Sequence, residues 1–167
     1  IILGSRVDPC FTVMKRTGAT MPIPKLLIVD DSEICRKPFR KVGRDDSGQI
    51  MVEVLEAETG EEGLELFQNN SDILYAVVDV HLPGIDGFEM LNACRKHDPE
   101  RFDRLTVFMS CSDADDHHHE SPDFPAPSWV LKPADPVLFN RFLLSDVRMK
   151  MAVETDSLSD TQLMNLR

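Results

Sequence analysis

Basic residues are scarce in this chain: 18 Lys and Arg stand against 29 Asp and Glu, a formal net charge of −11. That balance excludes a surface built to hold a nucleic-acid backbone, and it excludes docking on an anionic membrane face. Long apolar runs are missing as well, and no segment approaches the roughly 20 residues of a membrane-spanning helix. The four cysteines, Cys10, Cys35, Cys94 and Cys111, contain no Cys-x-x-Cys pair and no secreted disulfide framework. A reducing, cytoplasmic setting is expected. Residues 1–20 lack the basic start and apolar core of a secretory leader. The chain begins with Ile, and residues 1–22 are expected to lie outside the fold. They read either as a native disordered arm or as residues added ahead of a natural start at Met21.

What is present suits one compact domain with tails, since 167 residues can bury a substantial core. From Lys25 onward the pattern alternates. LLIVDD (26–31) is a short β-rich run ending in two acids, and SEICRKPFRKV (32–42) places Ile34, Cys35, Phe39 and Val42 at helical spacing. Pro38 should kink or shorten that helix. IMVEVLEA (50–57) reads as a strand, and TGEEGLELFQN (59–69) as a helix with an acidic first turn suited to its dipole. LYAVVD (74–79), LTVFMS (105–110) and SWVLKP (128–133) are further strands; DGFEMLNACRKH (86–97) and ADPVLFNRFLL (134–144) are further helices. Repeated strand–helix alternation implies an α/β fold, a doubly wound five-stranded parallel sheet covered on both faces. One unit is poor. Between the last two strands, CSDADDHHHESPDFPAP (111–127) holds three prolines and many acids, so the fourth helix is expected to be short, distorted or absent.

The acids fall in a telling place. In open parallel sheets, ligands sit at the carboxyl ends of strands where strand order reverses. Asp30 and Asp31 end the first strand and Asp79 ends the third. As neighbours, these carboxylates would repel one another unless a hard cation such as Mg²⁺ neutralised them. Ser110 and Lys132 end the next two strands at the same edge. A hydroxyl and an ammonium facing a carboxylate and a metal suit a phosphoryl group, and Asp79 then reads as a nucleophile that accepts phosphate.

This constellation resembles the receiver domain of two-component response regulators, over roughly residues 24–146. The marks are Asp30-Asp31 after LLIV, Asp79 in DVHLPGIDG, Ser110 in VFMS and Lys132-Pro133 in WVLKP. The resemblance implies a flavodoxin-like fold with Asp79 as phosphoacceptor. It implies that Asp31 binds Mg²⁺ directly, Asp30 binds through water, and the backbone carbonyl of His81 also coordinates. It further implies that Ser110 hydrogen-bonds the phosphoryl group and moves with it, that Lys132 pairs with a phosphoryl oxygen, and that the peptide before Pro133 is often cis. The donor would be a histidine kinase or a histidine phosphotransfer protein. A homodimer is among the assemblies such a domain admits.

Three departures qualify the resemblance. Trp129 stands third upstream of Lys132, where the family carries Tyr or Phe, and its larger ring should weaken the usual coupling of hydroxyl and ring movement. Cys111 replaces a smaller residue beside Ser110. The degraded fourth helix implies that the face built with the last strand and helix is not used in the common way. Two other functions fit the residues less well. A degenerate, phosphate-independent interaction module would keep the fold without the chemistry. A Mg²⁺-dependent aspartyl-phosphate phosphatase resembling the haloacid dehalogenase family would need D-x-D-x-[TV], whereas the first strand here ends Asp30-Asp31-Ser32. The acidic crevice also disfavours a flavin phosphate. His117, His118 and His119 are consecutive, a spacing that rarely converges on one ion, so they read as a solvated loop. The segment 147–167 reads as a C-terminal extension, with Ser159-x-x-Gln162 resembling a capping box.

Overall fold

The computed structural model describes residues 23–111 and 128–164, with the backbone alone over 151–164. The expectations for residues 1–22, for the fourth helix, for the histidine triplet and for the face beside that helix lie outside the described residues, wholly or in part. Five parallel strands are present: β1 (Lys25–Val29), β2 (Glu53–Ala57), β3 (Ile73–Asp79), β4 (Thr106–Cys111) and β5 (Ser128–Leu131). Their order is β2-β1-β3-β4-β5. Strand order therefore reverses between β1 and β3, the place where the sequence puts its acids.

Helices cover both faces. α2 (Gly60–Asn69) and α3 (Gly87–His97) lie on one face, where Phe67, Met90, Leu91 and Cys94 pack with Leu27, Val29, Ala76, Val78 and Met109. α1 (Glu33–Arg36) and α5 (Pro136–Met164) lie on the other, where Phe39, Phe139, Leu143 and Val147 pack on Leu26, Ile28, Tyr75 and Val77. A further turn, α4 (Pro99–Phe102), follows α3. The strands are apolar on both sides because both sides are covered. Thr59 caps α2 by accepting from the Glu62 N–H. Asp86 and Glu89 form a reciprocal capping box on α3.

Two elements depart from the sequence expectation. After four α-helical residues, α1 passes into a 3₁₀ turn over Lys37–Lys41, with Pro38 in its first positions. Proline has no N–H to continue the α-helical ladder. The buried stripe then follows the 3₁₀ spacing of three, Arg36, Phe39 and Val42. Ile34, expected inside, is 82% exposed, and Cys35 is only half-buried. The second departure is α5, expected to end at Leu144. It runs unbroken through the 146/147 boundary to Met164, so Ser159 sits within a helix and starts none. Val147 explains the continuation locally, since it is buried one turn beyond Leu143. Leu131, Val137, Leu138 and Phe142 are exposed on β5 and α5.

Candidate functional site

Strand parity builds the site. Side chains two apart on a strand share a face. Leu26 and Ile28, Tyr75 and Val77, Phe108, and Val130 all point toward α1 and α5. One step further along each strand stand Asp30, Asp79, Ser110 and Lys132. The register sets Asp79 beside Ser110 and Ser110 beside Val130. A single layer of the sheet thus changes from apolar to polar as the strands end, and Asp31 falls on the exposed side of the chain.

Lys132 joins the two buried acids. Its Nζ lies 2.8 Å from Asp30 Oδ2 and 2.8 Å from Asp79 Oδ2. Asp30 Oδ1 accepts from the Ser32 N–H at 2.9 Å. Carboxylate oxygens of Asp30, Asp31 and Asp79 all lie within 4.8 Å of one another. Burial pushes the Asp79 carboxyl above its ordinary pKa; Lys132 opposes that rise and Asp30 adds to it. Burial also pulls on the Lys132 ammonium, but its hydrogen bonds to Asp30 and Asp79 outweigh the loss and hold its pKa above the ordinary value. The Lys132–Pro133 peptide is cis.

The donor set fits a hard divalent cation. Three clustered carboxylates against one ammonium leave about two negative charges uncompensated, and oxygen ligands of this kind suit Mg²⁺. Asp30 has its polar groups already engaged, which leaves Asp31 the most accessible carboxylate of the three. His81 is exposed two residues past the β3 end, and its backbone N–H reaches Asp79 and partly offsets the rise in that carboxyl's pKa. Trp129 is half-buried on the opposite face of the sheet, packed against the cluster that contains Met109 and Cys111.

Three residues that the motif reading passed over also shape the site. Gly87 opens α3 with its N–H on the Val80 carbonyl at 3.1 Å. A β-carbon there would overlap the Asp79 carbonyl. Glu61 of α2 accepts from the Ile85 N–H at 3.2 Å, holding the loop that follows β3. Arg36 is buried and donates from Nη1 to the Asp30 carbonyl at 2.6 Å. The second Gly of PGIDG pointed toward Gly87, and the 36/39/42 spacing could have shown Arg36. Nothing local marked Glu61.

Comparison with known proteins gives the family of the domain. Residues 26–141 match the family described as the response regulator receiver domain. A chemotaxis protein CheY homolog of Campylobacter jejuni is 30% identical over 89 residues, covering 51% of this chain and 62% of that protein. The nitrate/nitrite response regulator protein NarP of Escherichia coli is 29% identical over 112 residues, covering 67% of this chain and 49% of its own length. The chain thus spans less than two thirds of these relatives. Among solved structures, the chemotaxis response regulator CheY4 of Vibrio cholerae superposes with a TM-score of 0.60 at 26% identity, covering 74% of this chain and 98% of that one.

Proposed function

The chain belongs to the response regulator receiver domain family, and from that premise we propose that it accepts a phosphoryl group on Asp79 and signals through protein contact. The observation that carries this reading is the Lys132 ammonium held 2.8 Å from both Asp30 and Asp79, with Ser110 in register beside Asp79. An Asp79 oxygen attacks the phosphorus of a phosphohistidine donor; the new P–O bond forms as the P–N bond to the imidazole breaks. Lys132 then exchanges a carboxylate partner for a phosphoryl oxygen, and the Ser110 hydroxyl donates to another. Asp30, Asp31 and Asp79, with the His81 carbonyl, would hold Mg²⁺. When bound, that ion supplies positive charge to the phosphoryl oxygens. The half-buried packing of Trp129 against the Met109 and Cys111 cluster restricts how far its ring can follow Ser110.

The donor is a histidine kinase or a histidine phosphotransfer protein, and the setting is cytoplasmic. Among the described residues no helix is long and apolar enough to cross a membrane. Catalysis beyond the domain's own phosphorylation and dephosphorylation is not part of this reading. The test is intact mass spectrometry with Mg²⁺ and a small-molecule phosphodonor, run beside Asp79→Ala. One phosphoryl group on the wild type, absent with EDTA and absent from the variant, is the expected result. A folded wild-type chain that never gains the adduct would assign the acids to a phosphate-independent interaction module.

A further inference from the structure

Arg36 is 3% exposed, a rare state for an arginine, and its partners explain why the fold tolerates it. Nε donates to Glu56 at 3.3 Å, and Nη2 donates to Glu33 at 3.1 Å and to Glu58. Arg40 bridges Glu33 and Glu56 beside it, each through a contact of 2.7 Å. Two guanidinium groups and three carboxylates leave one net negative charge at this edge. The remaining donor, Nη1, points away from that network to the Asp30 carbonyl at 2.6 Å.

That carbonyl lies just past the end of β1. The Asp30 N–H still bonds the Ala57 carbonyl of β2 at 3.2 Å, so the residue keeps its place in the sheet on one side. Its side chain is held by the Ser32 N–H and by Lys132. The carbonyl is the last polar group of Asp30, and buried carbonyls require a donor. By supplying it, Arg36 fixes the plane of the Asp30–Asp31 peptide, and that plane sets where the exposed Asp31 carboxylate departs from the backbone.

We infer that Arg36 is a positioning residue of the cation site, acting through the Asp30–Asp31 peptide. The inference rests on the reading of Asp30, Asp31 and Asp79 as a cation site. Its sign separates it from a simple charge effect. Removing a nearby positive charge without disturbing geometry would tighten a cation, since like charges repel. Losing the carbonyl bond would instead free the peptide and weaken binding. Guanidinium geometry matters here, because its fixed fork serves the carbonyl and the three glutamates together, whereas a lysine ammonium can reach one or two of them.

Mg²⁺ affinity, measured by calorimetry on the full chain without phosphodonor, tests this. Arg36→Met is expected to weaken Mg²⁺ by about tenfold, and Arg36→Lys by a smaller factor. Glu58→Gln, which loosens the network but leaves the Asp30 contact, should stay within about twofold of wild type. Phosphoryl yield in the Arg36 variants should recover as Mg²⁺ is raised. If Arg36→Met does not fold, Arg36→Lys carries the comparison. Unchanged or tighter Mg²⁺ binding in folded Arg36 variants would overturn the inference, leaving Arg36 a purely structural ion-pair residue. Absence of Mg²⁺ binding by the wild type would instead overturn the cation-site reading itself.

Discussion

Burial lifts the Asp79 carboxyl above the usual carboxylate range, with Asp30 adding to the rise and Lys132 opposing it. A carboxyl raised on folding contributes fully to stability below its unfolded pKa of about 3.9 and loses that contribution as pH climbs through the folded value. Near neutral pH, without a cation, Asp79 is therefore a cost to the fold. Asp79→Asn should raise the denaturation free energy by about 1 kcal/mol at pH 7, within the range typical when strain at a functional site is relieved. The gain should fade as pH falls through the folded value and the wild-type acid takes up its proton. Mg²⁺ at ten times its dissociation constant should stabilise the wild type by about 1.4 kcal/mol and the variant by much less. Denaturant titrations with Mg²⁺ and with EDTA check both statements; equal responses from the two proteins would remove Asp79 from the cation site.

At the scale of elements, the site depends on how closely α3 approaches the end of β3. Gly87 meets the Asp79 carbonyl with no room for a side chain, and its N–H bonds the Val80 carbonyl. Gly87→Ala must push α3 or the β3 end aside, at a cost of about 1–3 kcal/mol. Because the displaced group belongs to the proposed phosphoacceptor, phosphorylation should slow as well. Thermal unfolding and the rate of adduct formation would be followed together; a variant that matches wild type in both would show that the helix can yield freely. Sequence patterning placed α2 and α3 within a residue of where they lie, because each has a clear cap and an apolar stripe. It misjudged the inward face of α1. There the 3₁₀ turn over Lys37–Lys41, with Pro38 near its start, changes the period from 3.6 to three, and Ile34 is exposed while Arg36 is buried.

Across the whole molecule, α5 is tied to the end of the sheet remote from Asp79. The hydroxyl of Tyr75, the chain's one tyrosine, donates to Asp146 at 2.9 Å, and Lys150 reaches Asp146, Thr106 and the Tyr75 ring. Burial first, then the charge of Asp146 and the bond to it, raise the phenol's pKa well above its ordinary value. Ionisation is thus favoured in the unfolded chain, so the stability Tyr75 supports is intact below its unfolded pKa of about 10 and is lost as pH rises above it. An alkaline titration followed by tyrosinate absorbance should show ionisation only in step with loss of circular dichroism. A reversible titration near pH 10 on a folded chain would show that α5 detaches from the sheet without unfolding it.

Sequence alone determined the α/β class, the parallel sheet and the identity of the acids, hydroxyl and lysine at the strand ends. Those features are local: apolar runs that stop at a polar residue can be read one strand at a time. Convergence of Asp30 with Asp79 was legible only on the condition that β1 and β3 are neighbours, and strand order is a property of the whole sheet. The tertiary structure alone decided that Lys132 bridges both acids, that Arg36 holds the Asp30 carbonyl, and that Gly87 lies against Asp79. Each is a contact between side chains or backbone groups brought together by packing, with partners that no periodicity in the chain encodes. The length of α5 belongs with them, since a capping signal at Ser159 was overridden by a helix already propagating from Pro136.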